Sequence, residues 1–192
     1  MEPPDQREEL RRLLAEQSVC RGRFRLASGE ESDFYVDART TTLDPRGMEL
    51  IGALGWRLIE EAENRLGFHA EAIGGLTMGA DPVAFAVSSH AYRNRRRLIQ
   101  AVVIRKELKK HGRHKLIEGN FAKGQAVVVV DDVITTGGST LKAIQAVREA
   151  GGEAPFVLAL VDREEGGRER IENEGCIMAS LFRKRDFIPD PA

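Results

Sequence analysis

Residues 127–140 read VVVVDDVITTGGST, and this stretch constrains the fold more than any other. Four consecutive valines favour a strand. A strand apolar on both sides needs cover on both sides, as in a parallel sheet flanked by helices. The two aspartates that follow repel each other and do not belong in a core. In an open parallel sheet the place that accepts them is the carboxyl end of a strand, where ligands bind. Thr135, Thr136, Gly137, Gly138, Ser139 and Thr140 then lead into a helix predicted over 139–151. Glycines let backbone N–H groups approach a ligand, hydroxyls add donors, and a helix N-terminus carries partial positive charge, so this loop suits a phosphate. Asp131 and Asp132 suit the other end of such a ligand, because carboxylates accept hydrogen bonds from the paired hydroxyls of a ribose. A ribose 5-phosphate satisfies both halves. The plain structural alternative is a strand end with an aspartate cap and a threonine-rich turn. The segment contains neither GxxxxGK[ST] nor GxGxxG.

The same alternation runs along the chain. EAIGGL (71–76), LIQAVVI (98–104), QAVVVVD (125–131), FVLALVD (156–162) and CIMASLF (176–182) read as strands. Residues 80–92 read as a helix, as does a long segment from Pro45 with Met48, Ile51, Leu54, Leu58 and Ile59 at helical spacing. Strands alternating with helices predict an α/β fold, a mainly parallel sheet flanked by helices. Residues 5–17 predict an amphipathic helix with Leu10, Leu13 and Leu14 on one face, and RFRL (23–26) and FYVD (34–37) predict short strands. These elements stand outside the alternation. Residues 1–40 are therefore expected to form a small N-terminal cap on a single domain spanning 1–192. Residues 105–119 are polar and glycine-flanked and read as a loop.

Composition narrows the function classes. The chain has 192 residues, 42% apolar and 31% charged, which suits a folded globular domain. No run of ~18 apolar residues and no apolar N-terminal signal is present, so no membrane segment and a cytoplasmic location are expected. A net charge of −1 gives no indication of a nucleic-acid partner. Cys20 and Cys176 read as two free buried thiols, and the histidines show no metal-binding spacing, so no dedicated protein metal site is expected. The lysines are unevenly placed: Lys106, Lys109, Lys110 and Lys115 fall within ten residues.

The 127–140 segment resembles the phosphoribosyl diphosphate (PRPP) motif of type I phosphoribosyltransferases. Further segments resemble the orotate phosphoribosyltransferase family, over about residues 20–185. The resemblance implies that Asp131 and Asp132 hold the ribose hydroxyls and that residues 135–140 hold the 5-phosphate. RKELKKHG (105–112) is similar to that family's catalytic loop. The implied role of Arg105, Lys106, Lys109 and His111 is to meet the pyrophosphate, Lys109 foremost, in the site of a partner subunit. A homodimer with shared active sites follows from the same resemblance. The chemistry agrees with the composition. Displacement at an anomeric carbon builds oxocarbenium character, and negative charge gathers on the departing pyrophosphate. One fixed donor aimed at such charge typically lowers the barrier by ~3–4 kcal/mol.

Three other segments carry the resemblance. FRLASGEESDFYVDAR (24–39) resembles the base-side segment, which implies Tyr35 near the pyrimidine; many members have Lys where this chain has Ala27. LVDREEGG (160–167) places Arg163 just past a strand end. Arginine pairs well with carboxylates, and the resemblance implies that Arg163 reads the carboxylate of orotate, with Thr135 beside it. An ion pair with Glu164 or Glu165 is the alternative. GGLTMGADPVA (74–84) resembles the pyrophosphate-side loop without a lysine, so Met78 and Gly79 leave that contact to backbone N–H groups.

The implied reaction is orotate plus PRPP giving orotidine 5′-monophosphate and pyrophosphate, with Mg2+ as cofactor, held mainly by substrate oxygens. Two rivals stay open: the same fold acting on a base without a carboxylate, and a PRPP-sensing regulator. Arg163 and the lysine-rich loop are the features that distinguish them.

Overall fold

The computed structural model describes residues 5–25, 31–107 and 116–188. Helix α1 (Gln6–Gln17) starts at Asp5, whose carboxylate accepts from the Arg7 N–H, and buries Leu10, Leu13 and Leu14. Strands β1 (Val19–Arg25) and β2 (Glu31–Val36) pair antiparallel. A short helix α2 (Arg39–Thr42) leads into α3 (Pro45–Leu66). Asp44 caps α3 by accepting from Arg46 and Gly47 N–H, Pro45 opens it, and Gly67 closes it in the left-handed region at φ 71°.

The alternating part follows as β3 (Ala72–Leu76), α4 (Ala80–Arg95), β4 (Gln100–Ile104), β5 (Ile117–Gly119), β6 (Ala126–Ile134), α5 (Gly138–Glu149), β7 (Glu153–Asp162), α6 (Gly167–Asn173) and β8 (Ile177–Arg183). Among the described residues these strands form one sheet in the order β5-β4-β3-β6-β7-β8. Every neighbouring pair is parallel except β4–β5. The expected α/β architecture is the observed one.

The valine run now has its reason. Val128 and Val130 pack into a core built from α3 and α4, while Val127 and Val129 pack against Ala143, Ile144 and Val147 of α5. Both faces of β6 are covered, so the strand has no polar side. The β1–β2 pair is a separate sheet, yet Leu10, Leu14, Phe34 and Val36 join the core on the α3 side.

The structure departs from the sequence reading in several places, the unpredicted short helix α2 among them. Strand β6 does not stop at Asp131 but runs to Ile134, with Asp131 opposite Ala159 and Ile134 opposite Asp162 on β7. The 105–119 loop ends in strand β5, which covers the edge of β4 with three residues and one buried side chain, Ile117. Three residues are too few to show a period of two. Helix α6 went unread because it is short and buries only Gly167 and Ile171. Both cysteines are free, but Cys20 is exposed, since its small sheet is not covered on both faces; Cys176 is buried as expected.

Candidate active site

Strand β3 pairs with β6 only through Ala72–Gly74 and Val127–Val129. Beyond Val129 the β6 edge toward β3 is unpaired, and both acids sit on that stretch. The period of two continues past the valines. Asp131 follows Val127 and Val129 toward α5, where Thr140 Oγ1 donates to Asp131 Oδ2 at 2.8 Å. Asp132 follows Val128 and Val130 toward α4. A Cβ on Gly79, the residue that opens α4, would lie 2.5 Å from Asp132 Oδ1, so a side chain there would displace that carboxylate. The Val133 N–H donates to the same oxygen at 2.9 Å.

Burial dominates the electrostatics of the pair. It pushes Asp131 up to about 7, and the neighbouring Asp132 carboxylate adds to the effect. Burial also raises Asp132, opposed chiefly by the hydrogen bond from the Val133 N–H and least by the charge of Arg39. Folding therefore raises the affinity of Asp131 for a proton. That contribution to stability is present at low pH and is lost as pH rises through about 7, at most ~1.4 kcal/mol for each pH unit above the unfolded value. The melting temperature of the ligand-free chain is expected to fall between about pH 4.5 and pH 8, and Asp131→Asn is expected to flatten that slope in thermal melts.

The loop expected to take a phosphate, residues 135–140, lies at the start of α5. Gly137 precedes the helix at φ 77°, and the Leu141 N–H is bonded to Gly137 O at 2.9 Å. The N–H groups of Gly138, Ser139 and Thr140 come before the first helical donor, Leu141, and have no acceptor within the helix, as at any helix N-terminus. A Cβ position on Gly138 would meet nothing within 4 Å, so that face of the loop is open. Thr136 and Ser139 are exposed, Thr135 is half-buried and Thr140 is buried. The Thr140 hydroxyl is spent on Asp131, which couples the loop to the acid.

Helix α6 braces this loop from behind. A Cβ on Gly167 would fall 2.4 Å from Thr135 O, and Arg170 Nη1 donates to Thr136 O at 2.7 Å. Gly167→Ala is expected to push the loop out of place and weaken PRPP binding about tenfold or more, the cost of roughly one or two lost charge-assisted hydrogen bonds, in a calorimetric titration. No local signal in the sequence announces Arg170 as a brace.

The residues expected on the base side come from the end of β7 and from the N-terminal elements. Arg163 follows β7 directly, and its N–H donates to Ile134 O at 2.9 Å. The side chain is buried, with Nη2 2.7 Å from Glu165 Oε1 and the guanidinium 5.9 Å from the Phe34 ring centre. The ion-pair alternative is thus real for Glu165, though the arginine is not a surface residue. Glu164 instead pairs with Arg185. Asp162 holds the turn by accepting from the Glu164 N–H at 2.9 Å and from Arg168 Nη2 at 3.2 Å. Tyr35 alternates with buried Phe34 and is 38% exposed. Arg39, within the quoted cap segment but not singled out there, pairs with Asp37 at 2.8 Å and acts electrostatically on both Tyr35 and Asp132.

In the segment expected to meet pyrophosphate, Met78 is exposed, and Thr77 Oγ1 donates to Asp81 Oδ2 at 2.6 Å. Arg105 follows β4; its N–H donates to Leu116 O and its Nη1 lies 3.8 Å from Glu118 Oε1. Lys106 is exposed. Lys109 and His111 lie outside the described residues. Among the described residues no group of three or more His, Cys, Asp or Glu side chains is arranged to hold a metal ion.

An acid pair, a helix-capped glycine loop and a buried arginine thus converge at the carboxyl ends of β6 and β7. No family model matches the chain. Known proteins do match it. The orotate phosphoribosyltransferase of Aquifex aeolicus is 44% identical over 186 residues, 95% of this chain and 98% of that protein. The crystal structure of Mycobacterium tuberculosis orotate phosphoribosyltransferase in complex with Fe(III) dicitrate superposes with a TM-score of 0.80 at 43% identity, covering 96% of this chain and 99% of that one. The same enzyme in complex with PRPP gives a TM-score of 0.76 at 40% identity, over 95% and 99%. The chain belongs to the orotate phosphoribosyltransferase family.

Proposed function

We propose that this chain carries out its family's reaction as a Mg2+-dependent homodimer with shared active sites, in the cytoplasm. The reaction moves the phosphoribosyl group of PRPP to orotate and yields orotidine 5′-monophosphate and pyrophosphate, a step of pyrimidine nucleotide synthesis. The observation that carries the site assignment is that Asp131 and Asp132 lie on the strand whose end receives the Arg163 N–H at Ile134 O, with Asp131 bonded to Thr140 of the α5 loop.

In this reading the N–H groups of residues 137–140 and the hydroxyls of Thr135, Thr136 and Ser139 hold the 5-phosphate. Asp131 and Asp132 accept from the ribose hydroxyls, which fixes the anomeric carbon. Arg163 pairs with the carboxylate of orotate and orients its ring nitrogen, with Tyr35 and Thr135 beside the ring. The nitrogen bonds to the anomeric carbon as the carbon–oxygen bond to pyrophosphate breaks, and pyrophosphate leaves with that bonding pair. Arg105, Lys106, Lys109 and His111 meet the charge that gathers there. Enclosure of the reactants keeps water from hydrolysing PRPP.

The donor set fits a hard divalent cation: two adjacent, mutually repelling carboxylates whose charges such an ion would offset. Mg2+ would supply charge neutralisation on the pyrophosphate, with Asp131 and Asp132 holding it through water. The dimer has support on α4, where exposed Phe85 and Tyr92 lie seven residues apart, two turns along one helix face. Among the described residues no helix is long and apolar enough to cross a membrane.

Subunit mixing tests the shared site. Lys109→Ala and Asp132→Asn chains, each nearly inactive, are expected to recover about a quarter of wild-type activity when refolded together in equal amounts. Half of statistically mixed dimers then carry one complete site of two. No recovery, with mixed dimers demonstrated by differential tagging, would place Lys109 in its own subunit's site.

A further inference from the structure

Away from the acids, the phosphate loop and Arg163, the described surface holds a cleft of about 390 Å3 between α1, α3 and the end of β8. Four arginines line it, Arg7, Arg57, Arg183 and Arg185, against one acid, Asp186. Two of the four are fixed by other groups. Arg7 Nη2 donates to Leu181 O and to Asp186 Oδ2, both at 3.3 Å, and its guanidinium lies 4.9 Å from the Phe182 ring centre. Arg185 pairs with Glu164. Arg57 and Arg183 have no ion-pair partner among the described residues. Two guanidiniums without a direct ion pair therefore line one cleft, Arg183 acting only at longer range on Glu164, with Ser180 in the same lining and leucines of α3 and β8 as its apolar part.

The chemistry of that lining is specific. Guanidinium forks match the oxygens of a phosphate, an excess of arginine over acid in the lining matches an anion, and an apolar wall accepts an organic body rather than a bare ion. We propose that this cleft is a second anion site, outside the active site, that takes a phosphate monoester. The phosphate sits between Arg57 and Arg183, and the organic part lies against the leucines. No residue assigned to catalysis or substrate binding lines the cleft, so the inference stands apart from the catalytic reading.

The test uses the full chain saturated with orotidine 5′-monophosphate, which fills the phosphate loop of the active site. Ribose 5-phosphate is then titrated by calorimetry at constant ionic strength, with inorganic phosphate in a parallel arm. The expected result is one saturable site for ribose 5-phosphate, weakened about tenfold or more in the Arg57→Gln, Arg183→Gln double variant. Orotate turnover by that variant is expected to match wild type, which also reports that it is folded. Absence of saturable binding, or equal binding by the double variant, would overturn the site. Inorganic phosphate binding as tightly as the monoester would overturn the monoester assignment.

Discussion

Replacing Lys109 by alanine is expected to lower kcat about 100- to 1000-fold, the usual effect of deleting one donor aimed at transition-state charge. The negative charge on pyrophosphate is greatest as its bond to the ribose breaks, so a cation placed there acts on the transition state more than on bound substrate. The loss should therefore fall on kcat, with the KM for orotate little changed. Lys109→Arg keeps the charge but not the compact ammonium and should fall between the two. Arg105 and Lys106 sit at the end of β4, whereas Lys109 lies within the quoted RKELKKHG motif. Initial rates at saturating PRPP, together with both KM values, check this. A Lys109→Ala chain with wild-type kcat would remove that residue from the chemistry.

Arg163→Gln is expected to raise the KM for orotate about 10- to 100-fold, the value of a charge-assisted hydrogen-bonded pair with a carboxylate. The effect has a selectivity signature. Uracil has the same ring without the carboxylate, so the wild-type preference for orotate should shrink in the variant by the same factor. In the ligand-free chain Arg163 is held by Glu165 at 2.7 Å, next to the Phe34 ring. Orotate must then share or replace Glu165 as the partner. Glu165→Gln is the companion variant: it should leave orotate recognition intact, because the substrate brings its own carboxylate. Steady-state rates with both bases, for all three chains, separate recognition of the carboxylate from damage to the turn that Asp162 holds.

Much of this site was legible in the sequence because its parts are local. The valine run, the two aspartates and the glycine–threonine loop are contiguous, and their spacing alone suggests a sugar and a phosphate. What the sequence misplaced is the meaning of the strand end. A period of two carries past Val130, so the acids leave β6 toward different helices, one to Thr140 and one to Gly79. That is a property of the paired sheet and not of the residue types. The sequence suggests Gly79 as a glycine for backbone approach to a ligand; the structure shows it also making room for Asp132. Arg170 and Gly167 were out of reach for a different reason. They act across 32 and 34 positions of chain on Thr135 and Thr136, through a helix too short to show periodicity. Arg39 lay within a segment already singled out, but its reach to Asp132 depends on how the small β1–β2 sheet docks on the main core.

The most direct test of the account is the ultraviolet absorbance of orotate with the purified chain, PRPP and Mg2+, followed before and after a chelator. The account predicts a loss of orotate signal that needs all three components, stops on chelation, resumes when Mg2+ is restored in excess, and is matched by pyrophosphate release. Stable orotate absorbance while the same sample consumes PRPP with a base that has no carboxylate would contradict it.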